Sequence, residues 1–343
     1  MKKNLRHLVI LLIANLVFAA SYSQKVDSVL FFTADQAAEM TLTTDIKTLQ
    51  AQKKDEVFQD GSVELKLSTN VSLFSAVGVA ARGKFRRENC RIPPMMLDFR
   101  KDSTGQFTNL GKLKLVIACG ANADDEQLLL KEYLIYKIYN LLEEKSFRVR
   151  LVHTTFNDTR NRVKRFTQYS FLIEDDADMA RRNGCKKKDH APYSSESTNR
   201  ALMTKVAIFE YLIGNADWSV PNLHNIKLIF DRKNDMALPF AVPYDFDYCG
   251  LVDAAYAVPS EVIGTEKITE RVYRGFPRTM EELQLSFDIF REKKEAIYSL
   301  INNFSLLTAR NKKTMTDYID EFYEVINDKK QVQTIFIDNA RTR

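Results

Sequence analysis

The spacing of apolar residues changes near residue 124, and this change restricts how the chain can fold. Before that point, short apolar or alternating runs separated by turn residues predict β-strands. In residues 124–144 the apolar side chains recur at helical spacing. Asp124, Asp125 and Glu126 stand where a helix N-terminus favours acidic residues. The sequence therefore predicts a β-rich N-terminal part that contains one long helix.

The remaining elements divide the chain into two lobes. The predicted strands are 29–32, 40–44, 63–68, 77–85, 95–99, 113–119, 148–156 and 168–173, followed by a helix at 199–213, a hairpin of strands 226–230 and 238–242, and helices at 280–304 and 306–326. The polar segment 181–198 is expected to connect a β-rich N-terminal lobe, 24–180, to a mainly helical C-terminal lobe, 199–343.

The first 23 residues have the pattern of a secretory signal peptide. Lys2, Lys3 and Arg6 precede an apolar run at 8–20, and small residues precede Gln24. The run is shorter than a membrane-spanning helix needs, although an uncleaved anchor is the alternative. We therefore expect an exported protein, periplasmic or secreted, with no stable membrane span after cleavage.

Export gives the four cysteines a possible structural role. Disulfides persist outside the cytoplasm, and Cys90, Cys119, Cys185 and Cys249 allow three pairings that the sequence does not distinguish. Cys119 lies in an apolar run and is equally compatible with a buried free thiol.

Composition excludes several classes of protein. Hydrophobic residues make up 45% of the chain, which excludes a disordered protein. The chain has 50 Lys and Arg against 45 Asp and Glu, and without the three basic residues of the leader the count is 47 against 45. We therefore expect no nucleic-acid partner.

Polar residues bracket the predicted hairpin and form the most unusual segment of the chain. Asp217 follows the helix, Asn225 immediately precedes the first strand, and Asp245 and Asp247 follow the second. Because the hairpin brings its two ends together, these side chains are expected to converge. Phosphoryl transfer uses such a set, with Asp217 as catalytic base or orienting residue, and Asn225, Asp245 and Asp247 as metal ligands. Asn222 is the alternative to Asn225.

This pattern of an Asn-x-Asp loop, an Asn before an apolar strand and a Pro-x-Asp-Phe-Asp segment resembles the atypical kinases of the CotH type and, more distantly, of the HipA type. The order of elements is likewise that of a bilobal, kinase-like α+β fold. A second resemblance, to a group of exported bacterial proteins, covers residues 35–280 and implies no activity. It includes the run Arg82-Gly83-Lys84-Phe85-Arg86-Arg87.

The kinase resemblance implies a strand lysine for the nucleotide phosphates and a helix glutamate that holds it. Lys114 and Glu132 match these positions, with Lys112 and Glu126 as alternatives. It also implies ATP or another nucleotide, and Mg²⁺ or Mn²⁺. The chain departs from the pattern because it has no Gly-x-Gly-x-x-Gly loop. We expect that the basic run 82–87 covers the phosphates instead.

Two functions are consistent with these features. The first is Mg²⁺-dependent transfer of a nucleotide phosphoryl group to a protein or small-molecule hydroxyl outside the cytoplasm. The second is a catalytically inactive, kinase-like module that binds a partner in the cell envelope, which the missing glycine-rich loop favours. Two carboxylates such as Asp217 and Asp245 also occur in glycosidases, but the neighbouring asparagines favour the kinase-like interpretation.

Overall fold

The computed structural model describes residues 28–52, 57–68, 71–102, 107–189, 191–260 and 263–341. The predicted signal peptide, residues 1–23, lies outside these ranges. Among the described residues, no helix is both long enough and apolar enough to cross a membrane.

The N-terminal part is built around a closed barrel of seven strands. They are β1 (Ala38–Thr44), β2 (Gln59–Ser68), β3 (Val71–Ala81), β4 (Met95–Asp98), β5 (Lys112–Ile117), β6 (Val149–Asp158) and β7 (Phe166–Ile173). The strand order is β1-β2-β3-β4-β5-β7-β6, and all neighbours are antiparallel except β1 and β6, whose parallel pairing closes the barrel. Residues such as Leu42, Val63 and Leu115 fill its interior. Alternating burial along β1 is the two-residue period that the sequence shows.

Four helices accompany these strands. They are α1 (Ser28–Phe31), α2 (Ile46–Ala51), α3 (Lys84–Asn89) and α4 (Ala123–Leu142). Helix α4 is the predicted long helix, and the Asn122 side chain caps it by accepting a hydrogen bond from Asp125 N–H. Most of its residues from Leu129 onward are buried. The helix is apolar on several faces because it lies between the barrel and the C-terminal part.

Two local predictions were wrong. Residues 29–32 were expected to form a strand, but Ser28–Phe31 is a short helix. The strand expected at 77–85 ends at Ala81, and the basic run continues into α3. Residues 29–32 are too few for their apolar spacing to distinguish a helix from a strand. The left-handed backbone of Gly83, with φ of 75°, separates the end of β3 from the start of α3.

The C-terminal part is mainly helical and carries a small antiparallel sheet. Its elements are α5 (Asp176–Arg182), β8 (Cys185–Lys186), α6 (Arg200–Ile213), β9 (Ile226–Asp231), β10 (Phe240–Pro243), α7 (Met280–Asn302), α8 (Ala309–Asn327) and α9 (Lys329–Val332), followed by a π-helical turn at Gln333–Asp338. Strands β9 and β10 pair as the predicted hairpin, and β8 extends the sheet. The segment 181–198, predicted as a connecting loop, therefore contributes a strand.

Two apolar cores hold these parts together. One fills the barrel, and the other joins α4 and the outer face of β5 to α6, α7 and α8. The predicted mixed α+β organisation, β-rich first and helical later, is confirmed. The sequence did not predict the closure of the barrel.

The four cysteines form one disulfide and leave two free thiols. Cys90, at the end of α3, is bonded to Cys119, two residues after β5, whereas Cys185 and Cys249 are buried free thiols. This bond fixes α3 against the edge of the barrel that faces the C-terminal part.

Candidate functional site

A cleft of about 430 Å³ separates the end of the barrel from the hairpin of the C-terminal part. Its barrel side is formed by Arg82, Gly83, Phe85, Arg86, Glu88 and Pro94. Its opposite side contains the polar residues predicted from the sequence. Those residues are Asp217, Asn225, Asp245 and Asp247, and His224 lines the same side. The structure thus brings the four predicted catalytic and metal-binding residues to one cavity.

Side chains hold the Asp217 loop through hydrogen bonds to its backbone. Helix α6 ends at Gly214, whose left-handed backbone turns the chain out of the helix. The Asn215 side chain accepts a hydrogen bond from Asp217 N–H at 2.9 Å. The Arg274 guanidinium donates to the carbonyl oxygens of Ala216 and of Trp218. These contacts fix the backbone of Asp217 and of the residues on either side of it.

Asn225 and His224 both contact that carboxylate. The Asn225 amide donates to the carbonyl oxygen of Asp217 at 2.7 Å and to its Oδ2 at 3.1 Å. His224 Nε2 lies 2.8 Å from Oδ1 of Asp217. Asn222, the alternative ligand, is exposed and does not line the cleft. Placement in the cleft therefore favours Asn225 over Asn222.

The Asp245-Phe246-Asp247 segment is anchored by its central residue. Phe246 is fully buried and packs edge to face against Tyr136 of α4, with ring centroids 4.7 Å apart. Asp245 has a left-handed backbone, with φ of 66°, and its N–H donates to the Tyr136 hydroxyl at 2.8 Å. Because the phenylalanine points into the core, the two flanking carboxylates face the cleft.

The ion pair expected between Lys114 and Glu132 is absent, so this prediction was wrong. Lys114 lies opposite Ile173 in β7, so its neighbour is Asp176, three residues farther along the chain. Lys114 Nζ lies 3.3 Å from Oδ1 of Asp176 and 4.5 Å from the centre of the Tyr244 ring. Burial lowers the pKa of Lys114, and Asp176 opposes that change.

The partner of Glu132 is Arg86, which comes from α3. A terminal nitrogen of Arg86 lies 3.8 Å from Oε2 of Glu132 and 3.7 Å from Oδ2 of Asp247. Burial, and then the nearby carboxylates, raise the pKa of Asp247 to about 6 and that of Glu132 well above its usual range. The sequence signal for Arg86 was the basic run 82–87, which had been considered only as a cover for phosphates.

The acidic groups of the cleft are held mainly by neighbouring side chains. Besides Arg86, the Tyr256 hydroxyl donates to Oδ2 of Asp247 at 3.0 Å. Within the described ranges, no group of three or more His, Cys, Asp and Glu side chains is arranged to hold a metal ion. Of the three predicted metal ligands, Asp245 and Asp247 belong to these residue types and Asn225 does not, so the predicted set contains two of them.

A second cavity of similar size does not contain such chemistry. It measures about 450 Å³ and lies among α6, α7 and β10. Its charged groups are joined in ion pairs, such as Arg200 with Glu282 and Lys205 with Glu143. Since the two cavities are similar in size, the side chains that line them favour the cleft with Asp217 and Asp245 as the candidate site.

Comparisons with known proteins give limited information. No protein-family model matches the chain, and no curated protein matches its sequence. Among solved structures, the chain is similar to the Helicobacter pylori proinflammatory kinase CtkA, with 11% sequence identity and a TM-score of 0.35. That match covers 84% of this chain and 92% of CtkA. A similarity at this level is too weak to support any step of the argument, which rests on the geometry of the cleft.

Proposed function

We propose that this protein is a bilobal, kinase-like phosphotransferase that acts outside the cytoplasm. It would transfer a phosphoryl group from ATP or another nucleotide to a hydroxyl group of a protein or small molecule. The observation that carries this proposal is the convergence of Asp217, Asn225, Asp245 and Asp247 on one cleft. The leader pattern of residues 1–23 supports the proposed export.

Asp217 is the proposed catalytic residue. In the reaction, the bond between the terminal phosphorus and its bridging oxygen breaks as the acceptor oxygen forms a new bond to phosphorus. The acceptor hydroxyl loses its proton, and Asp217 orients that hydroxyl and accepts the proton. The hydrogen bonds from Asn225 and the contact with His224 hold the carboxylate in place for this role.

The donor set of the cleft fits Mg²⁺ or Mn²⁺. Mg²⁺ is commonly bound through one or two carboxylates together with substrate phosphates, and Asp245, Asp247 and the Asn225 amide supply only oxygen donors of this kind. Glu132 and Asp247 are buried around one guanidinium, and burial opposes the ionised forms of both carboxyl groups; a bound cation would favour those ionised forms. When bound, the metal would neutralise charge that develops on the phosphoryl group.

An inactive, kinase-like binding module is the second candidate function. Two observations favour it: Arg86 lies between the Glu132 and Asp247 carboxylates, and Lys114 is paired away from Glu132 with Asp176. In such a module Arg86 would permanently fill the position of a metal ion.

The test is thermal unfolding of residues 24–343 with and without Mn²⁺ and ATP. A ligand at 100 times its dissociation constant stabilises the folded state by about 2.7 kcal/mol, which raises Tm by several degrees. Asp245→Ala should abolish the shift. The control is Asp235→Ala, in the loop at the other end of the same hairpin, where Asp235 pairs with Lys186. It should keep the full shift, whereas no shift in the wild-type protein would refute the proposal.

A further inference from the structure

We propose that Arg86 binds the donor's phosphate groups, in the position beside Glu132 that the sequence had assigned to Lys114. We further propose that the Cys90–Cys119 disulfide keeps Arg86 at that position. This inference rests on the proposed phosphotransferase function. It names the residue that recognises the polyphosphate part of the donor.

Arg86 has unused capacity for hydrogen bonds at a nearly buried position. Its side chain is 12% exposed and lines the cleft. One terminal nitrogen donates to the carbonyl oxygen of Ile117, but Nε is buried without a hydrogen-bond partner. The other terminal nitrogen lies 3.8 Å from Oε2 of Glu132 and 3.7 Å from Oδ2 of Asp247, and both distances are too long for a hydrogen bond. A guanidinium carries several N–H donors in a planar fork that matches phosphate oxygens.

The carboxylates around Arg86 explain why it can serve an anionic ligand. Glu132 and Asp247 bring two potential negative charges to one guanidinium, and Oε1 of Glu132 is buried without a partner. A cation bound at Asp247 would compete with Arg86 for that carboxylate. Arg86 would then retain Glu132 as its counter-ion and direct its remaining N–H groups to the phosphates that accompany the cation. Glu132 therefore acts as the positioning residue for Arg86.

The backbone around Arg86 is fixed from both sides of the cleft. Helix α3 ends at Cys90, whose disulfide joins it to Cys119, and the next residue, Arg91, donates its N–H to the carbonyl oxygen of Cys119 at 2.9 Å. On the other side, the Phe85 ring packs against Tyr248, with centroids 5.8 Å apart. A helix of six residues has little stability alone, so these contacts set the position of Arg86.

Lys114 is less suited to the same role. Its ammonium group is paired with Asp176, which is also 3.7 Å from both Lys187 and Lys227. Lys114 does not line the cleft that contains Asp217 and Asp245, whereas Arg86 does. Between Lys114 and Arg86, Arg86 is therefore the cation with access to the cleft.

The experiment measures binding of inorganic triphosphate and of ATP, each with Mn²⁺, by titration calorimetry. Arg86→Ala should lower the affinity for both ligands by the same factor, about 10- to 100-fold, because Arg86 contacts the phosphate groups and not the base. Arg86→Lys keeps the charge but loses the fork, and should weaken both about 5-fold. Arg181→Ala, which removes an exposed arginine of α5, should leave both affinities unchanged.

A second measurement tests the disulfide. Reduction should weaken triphosphate binding by the wild-type protein but change little in Arg86→Ala, because the bond acts through the position of the Arg86 side chain, which that variant lacks. Equal weakening in both proteins would overturn the role of the disulfide. If the wild-type protein binds these ligands and both Arg86 variants keep its affinity within 2-fold, the role of Arg86 would be overturned while the proposed function stayed intact. Failure of the wild-type protein to bind either ligand would overturn the proposed function and this inference together.

Discussion

Replacing Glu210 with glutamine should stabilise the protein at neutral pH. Glu210 lies in the last turn of α6, directly below the Asp217 loop, and is 1% exposed. By hydrogen-bond geometry neither of its carboxyl oxygens has a partner, although the neighbouring Asn215 amide is near enough to oppose the rise in the pKa of Glu210. Burial raises the pKa of Glu210 from 4.5 to about 8. The folded protein therefore keeps this side chain protonated at a pH where the unfolded chain ionises it.

The sign and size of the effect follow from proton binding. Between pH 4.5 and about 8 the folded state binds more protons than the unfolded state, so stability falls as pH rises through this window. From pH 4.5 to 7.5 the loss amounts to about 4 kcal/mol. Glutamine does not titrate, so Glu210→Gln should be about 4 kcal/mol more stable than the wild type at pH 7.5. At pH 5 the difference should be less than about 1 kcal/mol.

Urea unfolding at pH 5 and at pH 7.5 measures both differences. Glu324→Gln is the matched control, because Glu324 is exposed on α8 and the same substitution there should change stability by less than about 0.5 kcal/mol at either pH. If Glu210→Gln were destabilising at pH 7.5, or if its effect were the same at both pH values, then burial would not control this carboxyl group.

Two further predictions concern the supports of the cleft. Reducing the Cys90–Cys119 bond releases a loop with a sequence separation of 29 residues, which should destabilise the protein by about 3–4 kcal/mol. Thermal unfolding should show a Tm lower by about 5 °C, and a Cys90→Ser/Cys119→Ser variant should no longer respond to reductant. Arg274→Ala removes two hydrogen bonds to the Asp217 loop and should cost about 3 kcal/mol. Trp218, the chain's single tryptophan and 3% exposed, should then show red-shifted fluorescence, whereas an unchanged spectrum would show that Arg274 does not support the loop.

The sequence predicted most of the secondary structure because its apolar spacing is regular. The long helix α4 and the β9–β10 hairpin carry strong periodic patterns, and their observed bounds differ from the predicted ones by a few residues. Barrel closure could not be predicted in the same way. It depends on parallel pairing of β1 with β6, which are about a hundred residues apart, and no local pattern encodes that contact.

The sequence was sufficient to predict which residues meet on one side of the cleft but not the contacts on the other side. Asp217, Asn225, Asp245 and Asp247 flank a local hairpin, so their convergence follows from short-range structure. The contacts of Glu132 depend on how α3 and α4 pack across the cleft. The kinase resemblance implied Lys114 as its partner, but tertiary packing and the disulfide bring Arg86 there instead.

Phosphoryl transfer by the mature chain is the measurement that tests the central claim most directly. The protein would be incubated with Mg²⁺ and ATP labelled on the terminal phosphate, and release or incorporation of the label would be followed for the wild type and for Asp217→Asn. We predict label transfer or hydrolysis by the wild type, and a rate at least about 100-fold lower for the variant, which keeps the shape of the side chain but cannot accept the proton. No turnover by the wild type, or equal rates for the two proteins, would contradict the account and favour an inactive binding module.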